Sequence, residues 1–161
     1  MTRIDERLVF LKLKDPGGFL SNFWPCEVSY EGYKYPSSEH AYQAQKYEED
    51  VMKRLIRDQP TPFMAAQLGR RGRDIKENWL DIRVQVMREI LWAKFSQNLN
   101  LAKLLQNTGS ARLIEGMDKD EFWGWGAPPD HQGENMLGAL LMETRDRVNE
   151  EIVFPQMEMF E

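Results

Sequence analysis

The stretch Tyr35–Lys46 reads YPSSEHAYQAQK and marks the point where the chain changes from strands to helices. Its Pro36–Ser38 segment is a helix start signal, because serine readily caps the free N–H groups of a first helical turn. Apolar residues then recur at helical spacing, at Ala41, Ala44, Val51 and Leu55. We therefore predict helical structure from Ser38 onward, with these four residues on its apolar side.

The residues before this stretch predict strands and turns. Arg7–Leu13 has the β-branched and aromatic content of a strand and is followed by the turn signal Asp15–Gly18. Cys26–Tyr30 alternates polar and apolar residues, and Glu31–Gly32 then offers a tight turn into Tyr33–Tyr35. This arrangement predicts a β-hairpin.

Helices dominate the remainder of the chain. A helix is predicted from Pro62, after a Thr61 cap, to near Gly69. A longer helix is capped by Asn78, and its apolar stripe is Leu80, Val84, Met87, Leu91 and Phe95. We then predict a helix from Asn100 to Asn107, a short strand at Ala111–Ile114 and a last helix from about Asn135 to Glu151. Met117–Gly133 is rich in Gly, Pro, Asp and Trp and predicts a long ordered loop, a type of segment that is often functional.

Composition indicates one globular α+β domain over residues 1–161. The chain is 42% hydrophobic and 29% charged, which is ordinary for a folded domain. A domain of this length buries roughly 70% of its unfolded surface, so it needs no disulfide or metal to fold. Its 5 Trp, 8 Phe and 5 Tyr could supply a core or surfaces that stack on a base.

Charge and cysteine content exclude several classes of protein. The formal net charge of −5 argues against a broad basic face for long nucleic acid. Cys26 is the single cysteine, so an internal disulfide is impossible and no zinc cluster is suggested. The segment Met1–Leu13 is too charged for a signal peptide, and no apolar run approaches the length of a membrane span. We expect a cytoplasmic protein with no cofactor and no metal.

The helix that begins at Ser38 carries the first candidate site. Glu39, Gln43 and Lys46 lie at i, i+4 and i+7 and so share one helical face, where they could line a polar pocket. An ordinary solvated face with a charge pair explains the same spacing. Glu39 also lies in the first helical turn, where the helix dipole favours the charged form of a carboxylate. His40 is a candidate acid or base or substrate contact, although a histidine beside a tyrosine is more often a hydrogen-bonded structural residue.

Two further segments have residue types suited to a ligand site. Gly69–Arg73, with three arginines among glycines, could bind phosphate, or could simply be a basic helix end. Asp118–Gly126 places acidic residues beside a Trp-Gly-Trp-Gly run, which could set a carboxylate against an aromatic wall. The same tryptophans could instead plug the loop into the core. From the residues alone, the sequence thus predicts an α+β domain with a carboxylate-plus-aromatic site for a phosphorylated sugar.

These segments resemble, in order, the motifs of the NADAR (YbiA-like) family of N-glycosidases. Phe19–Phe23 resembles its F-S-N-F opening, and Tyr35–Lys46 resembles its Y-P-T-S-E-H-Y-F-Q-A-Q-K segment. Three later segments are similar to A-A-x-x-G-R, D-x-x-W-G and G-x-N-x-L-G, namely Ala65–Arg70, Asp120–Gly124 and Gly133–Gly138. The resemblance covers about Gly17 to Val148, and Ala41 departs from it where the family usually has an aromatic residue.

The resemblance implies a compact, mostly helical α+β fold with a small antiparallel β portion. It also implies hydrolysis of the ribosyl C–N bond of phosphorylated aminopyrimidine intermediates of the riboflavin pathway, or of ADP-ribosylated guanine. Carried over by position, the site residues are Glu39, Asp120, Trp79 and Trp123, supported by Lys46 and Arg70, with Asn22 and Asn135 as binding or bracing residues.

The expected chemistry suits these residue types. Cleavage of a ribose C–N bond passes through an oxocarbenium-like state, which a carboxylate stabilises, and a second carboxyl group can activate water or protonate the leaving amine. Glu39 and Asp120 are the natural pair, with their roles unassigned. In a rival route Lys46 forms a Schiff base with the opened sugar. A non-catalytic module that binds ADP-ribose or a related nucleotide is the alternative function.

Overall fold

A computed structural model describes residues 6–155. Within this range the chain forms six helices and four short strands, so the α+β, mostly helical fold class is confirmed. The strands are β1 Arg7–Phe10, β2 Val28–Tyr30, β3 Tyr33–Tyr35 and β4 Arg112–Glu115. The helices are α1 Ser38–Ala44, α2 Asp50–Arg57, α3 Pro62–Arg71, α4 Trp79–Gln97, α5 Leu99–Asn107 and α6 Met136–Glu151. No helix in the described residues is both long and apolar enough to span a membrane.

The strands form two separate pairs. β2 and β3 make the predicted antiparallel hairpin, with Val28 opposite Tyr35, and its turn contains Glu31 and Gly32 at φ 49° and 85°. β1 and β4 instead pair in parallel, with Leu8 opposite Leu113. The sequence did not predict this second pair, because its two strands are about one hundred residues apart and local patterns carry no information on such pairing.

The helical region after Tyr35 begins as predicted but is interrupted. Ser37 caps α1 by accepting a hydrogen bond from the backbone N–H of His40. The helix ends at Ala44, and a new helix begins at Asp50. The expectation that Val51 and Leu55 continue the apolar side of α1 is wrong: both lie on α2, where they are 56% and 49% exposed.

Helix α3 extends two residues beyond its predicted end near Gly69. The Thr61 cap is present, since its side chain accepts from Met64 N at 3.1 Å, but α3 continues to Arg71. Gly69 therefore lies within the helix and serves close packing: a Cβ at this position would lie 2.2 Å from Oε1 of Gln43. The glycine lets α3 approach α1.

Helix α4 matches its predicted extent, with two corrections. Asn78 precedes it but makes no capping hydrogen bond through its side chain. Of the predicted stripe, Met87, Leu91 and Phe95 are buried, whereas Leu80 is 72% exposed. The first turn of α4 thus faces a cleft and solvent, and the later turns pack into the core.

The loop between β4 and α6 has the ordered character that its composition predicts. Trp125 N donates to Glu115 O at 3.0 Å, which ties the loop to the end of β4. Asn135 N donates to Gly124 O at 2.9 Å, and Met136 N donates to Phe122 O at 3.0 Å, which tie it to the start of α6. These backbone bonds fix the position of the acidic and aromatic side chains that the loop carries.

Candidate functional site

A cleft of about 500 Å³ opens where α1, the first turns of α4 and the loop after β4 meet. It brings together residues from almost the whole length of the chain. The polar and aromatic lining residues are Ser21, Asn22, Phe23, Glu39, Tyr42, Gln43, Lys46, Arg70, Trp79, Arg83, Glu115, Asp120 and Trp123. Aliphatic residues and methionines complete the lining, at Leu11, Leu13, Leu80, Met87, Met117 and Leu137.

One wall of the cleft is built on α1. Glu39 and Gln43 are both buried there, and Gln43 Nε2 donates to Glu39 Oε1 at 2.8 Å. Gln43 Oε1 has no hydrogen-bond partner among residues 6–155. Asn22 fixes the adjoining turn, because its Oδ1 accepts from Ser38 Oγ at 2.9 Å and its backbone oxygen accepts from Glu39 N at 3.1 Å. This face is therefore a built polar surface, not a solvated helix face.

Burial is the largest influence on the pKa of Glu39. Desolvation raises the pKa of its carboxyl group above the usual value, while the hydrogen bond from Gln43 and the charges of Arg70 and Lys46 lower it. Burial is the largest of these effects, so the pKa of Glu39 is raised although it lies in the first turn of α1. The carboxylate of Glu39 is thus held in a site where its charge depends on nearby cations.

Lys46 and Arg70 are those cations. Burial and the like charge of Arg70 lower the pKa of Lys46, while the carboxylate of Glu39 raises it. Lys46 lies just beyond the end of α1, and Arg70 lies in the last turn of α3 with its side chain exposed at the cleft. A depressed lysine pKa and an accessible guanidinium give this end of the cleft a potential nucleophile and an anion-binding group.

The aromatic side chains form a second surface of the cleft. Tyr42 lies between two tryptophans: its ring centroid is 5.2 Å from that of Trp79 and 5.8 Å from that of Trp123. Trp123 also packs edge-on against Phe122, at 4.8 Å. Both predicted tryptophans therefore belong to one continuous aromatic cluster, which offers flat apolar surface to a ligand.

The loop after β4 adds an acidic group to the cleft. Asp120 Oδ1 accepts hydrogen bonds from Phe122 N at 3.0 Å and from Trp123 N at 2.8 Å. Both bonds fix the carboxylate relative to the aromatic cluster. Glu39 and Asp120 line the same cleft although they are far apart in sequence.

Glu115 and Arg83 also line the cleft, and sequence reasoning missed both. Glu115 is the last residue of β4, and burial together with the charges of Asp120 and Glu39 raises its pKa to about 8. Arg83 lies one turn after Trp79 on α4, with its guanidinium 3.7 Å from the ring centroid of Phe122. The i+4 spacing from Trp79 could have identified Arg83, and the position of Glu115 between a strand and a functional loop could have identified that residue. In the described part of the chain, no group of three or more His, Cys, Asp or Glu side chains could hold a metal ion.

Two of the predicted site residues do not line the cleft. His40 lies between the cap of α1 and the segment that follows α2, where Nδ1 lies 2.6 Å from Ser37 Oγ and Nε2 lies 2.9 Å from Gln59 O. Asn135 is buried behind the end of β4, where its Oδ1 accepts from Glu115 N at 2.9 Å and its Nδ2 donates to Leu113 O at 3.0 Å. These contacts are bracing contacts within the fold.

The chain is similar to known proteins in both sequence and structure. The NADAR domain family matches residues 9–149. N-glycosidase YbiA of Escherichia coli (strain K12) is 40% identical over 147 residues, which is 89% of each chain. The riboflavin biosynthesis protein VVA0006 of Vibrio vulnificus is 40% identical over 152 residues, covering 91% of this chain and 40% of that protein. The NMR structure of E. coli YbiA superposes with a TM-score of 0.81 at 36% identity, covering 96% of this chain and 92% of that one.

Proposed function

Because this chain belongs to the NADAR family, we infer that it is an N-glycosidase, a hydrolase acting on N-glycosyl compounds, and we propose that the cleft is its active site. One observation carries the proposal. Glu39 and Asp120, which are far apart in sequence, line one cleft together with the aromatic side chains of Tyr42, Trp79 and Trp123. Carboxylates set against flat apolar surface are what cleavage of a ribosyl–nitrogen bond to a heterocycle requires.

The roles of the two carboxylates follow from their surroundings. Glu39, beside Lys46 and Arg70, stabilises the positive charge that develops at the anomeric carbon as the C–N bond breaks. Asp120, held by two backbone N–H groups through Oδ1, activates the water that completes hydrolysis. Trp79 and Trp123 stack on the base or wall the pocket around it.

The lowered pKa of Lys46 supports the covalent route over direct attack by water. A neutral amine can attack the anomeric carbon and displace the nitrogen of the base, which gives a glycosylamine that loses its extra proton. The nitrogen lone pair then forms the C=N bond of a Schiff base as the ring C–O bond breaks and the ring oxygen takes up a proton, and water finally hydrolyses the Schiff base to release the sugar and the amine. Burial and Arg70 favour that neutral amine. Direct attack by water would use the same two carboxylates and leave Lys46 as a purely electrostatic group.

The substrate is a small molecule, and we propose a phosphorylated N-ribosyl compound. Arg70 is accessible at the cleft and suits a phosphate. Aminopyrimidine ribosyl-phosphates of the riboflavin pathway fit a cleft of about 500 Å³, in keeping with a relative named for riboflavin biosynthesis. ADP-ribosylated guanine is the second candidate. We propose the cytoplasm as the site of action, where such compounds arise.

An assay with purified protein tests this function. The protein is incubated with an aminopyrimidine ribosyl-phosphate, its dephosphorylated form and ADP-ribosyl-guanosine, and release of ribose phosphate, ribose or ADP-ribose is measured by chromatography. We expect release from at least one phosphorylated substrate. Tight binding of ADP-ribose without cleavage of any substrate would instead establish a nucleotide-binding module.

A further inference from the structure

Glu115 is a third carboxyl group in the cleft, and the roles given to Glu39 and Asp120 leave the leaving nitrogen without a proton donor. We propose that Glu115 is the general acid that protonates this nitrogen as the C–N bond breaks. This inference rests on the proposed N-glycosidase function and adds a catalytic residue to it.

The backbone around Glu115 is fixed from both sides. The Asn135 side chain accepts from Glu115 N at 2.9 Å and donates to Leu113 O at 3.0 Å, so it holds the end of strand β4 in place. Glu115 O accepts from Trp125 N at 3.0 Å. Gly138 makes room for the Asn135 side chain, since a Cβ there would lie 2.4 Å from its Nδ2 atom. Such support is what a side chain needs in order to meet a reacting atom at a defined position.

The groups that face Glu115 favour its protonated form. Asp120 comes from the loop after β4 and Glu39 from α1, and both are acidic. The cations that line the cleft are Lys46, Arg70 and Arg83. The pKa of Glu115 is set by burial and by the two carboxylates, not by these cations. Within the described residues, β1 and its following segment contribute only Leu11 and Leu13 to the lining, and α6 contributes only Leu137.

The consequence is a neutral acid at physiological pH. Burial and the two carboxylates raise the pKa of Glu115 to about 8, so its carboxyl group carries a proton at pH 7. An acid with a pKa near the working pH is efficient as a proton donor. A glutamate kept at its ordinary pKa would be ionised at pH 7 and could not donate.

The step balances without any co-reactant other than water. The electron pair of the breaking C–N bond goes to the nitrogen, which takes the proton from the Glu115 carboxyl group. Lys46 or water forms the new bond at the anomeric carbon. The water that finally adds to this carbon delivers a proton to Asp120, and exchange with solvent returns one to Glu115.

A series of leaving groups tests the inference. N-aryl ribosylamine 5-phosphates whose amines differ in basicity are compared between the wild type and Glu115→Gln, which keeps the size and neutrality of the protonated acid but cannot transfer the proton. We expect kcat/KM to fall by about 100-fold for the most basic amine, with the loss shrinking steadily as the amine becomes less basic. The wild-type rate should decline above about pH 8, and the variant should lack this decline.

The controls separate three outcomes. Glu121→Gln removes an exposed acid of the same loop that does not line the cleft, and should leave kcat/KM unchanged along the whole series. An equal loss for every leaving group, or no loss for any, would overturn the general-acid role of Glu115. A wild type that cleaves no member of the series nor any of the earlier substrates would overturn the N-glycosidase function itself.

Discussion

The two walls of the cleft carry the same kind of residue in opposite electrostatic surroundings. On the α1 wall, Glu39 is buried beside Lys46 and Arg70, whose charges lower its pKa against the effect of burial. On the β4 wall, Glu115 is buried beside acidic neighbours, whose charges add to the effect of burial. Burial thus raises the pKa of both carboxyl groups, and neighbouring charges oppose that rise at Glu39 but add to it at Glu115.

This difference assigns the chemistry. A carboxylate that stabilises a developing cation must be charged, and an acid that releases a leaving group must be neutral. In the proposed mechanism, phosphate and sugar bind at the end of the cleft that holds Lys46 and Arg70. The leaving base then lies against the β4 wall, with its acids and the adjoining tryptophans. Substitutions on either wall should therefore produce different kinetic signatures.

The largest expected effect is on the α1 wall, at Lys46. Lys46→Ala should lower kcat by about 1,000-fold or more, because the nucleophile is lost. Borohydride added during turnover should reduce a sugar–lysine adduct in the wild type, visible by mass spectrometry, and none in the variant.

Lys46→Arg provides the matched control for charge. It keeps the cation beside Glu39 but cannot form a Schiff base, so it should be as inactive as Lys46→Ala. Substantial activity in Lys46→Arg, or the absence of any trapped adduct in the wild type, would assign the reaction to direct attack by water.

On the opposite wall, Asp120→Asn should lower kcat by about 100-fold. Asparagine retains an Oδ1 that accepts from Phe122 N and Trp123 N, so the loop should keep its position. Only the base that activates water is removed. Circular dichroism and thermal unfolding should match the wild type, and an undiminished kcat would refute the role of Asp120.

A smaller effect distinguishes the phosphate end of the cleft. Arg70→Ala should reduce kcat/KM about 50-fold for a phosphorylated substrate and only slightly for its dephosphorylated form. Arg71→Ala, its exposed neighbour outside the cleft lining, should change neither value. Equal losses on both substrates would indicate that Arg70 has a structural role.

The remaining expected effect is on stability and its dependence on pH, not on the rate of reaction. The pKa of Glu115 is about 8 in the folded state and 4.5 in a model compound, so between these values only the folded state holds the proton. The resulting stability is fully present below about pH 4.5 and is lost as the pH rises to about 8. Glu115→Gln should therefore be more stable than the wild type at pH 9, by up to about 5 kcal/mol, and similar at pH 4. Denaturant unfolding at both pH values measures this, and a pH-independent difference would contradict the buried-acid account.

The parts of the fold that the sequence predicted are those with local signals. The hairpin has its Glu31–Gly32 turn, and α3 has its Thr61 cap. The parallel β1–β4 pair and the break between α1 and α2 were missed. Both depend on distant packing: Tyr47, for example, lies in the core after the end of α1 and donates to Gly69 O at 2.6 Å.

The candidate site shows the same division. Motifs led to Glu39, Lys46 and Asp120, because chemistry-bearing residues in recognisable segments can be identified from a single sequence. The roles of these residues stay predictions. The position of Glu115 between a strand and the loop could have marked it as a candidate, but the sequence does not show its distinguishing property, which is the charge around it. That charge arises only when α1 and the loop after β4 fold against β4.

The central claim is that the cleft cleaves N-glycosyl bonds with the charge of Glu39, and one variant tests it directly. Glu39→Gln keeps side-chain size and the capacity to pair with Gln43, but removes the negative charge. Ligand affinity by calorimetry and turnover by product release should be measured on the same protein. The account predicts affinity close to that of the wild type with turnover reduced by about 100-fold or more. Turnover equal to that of the wild type would contradict it.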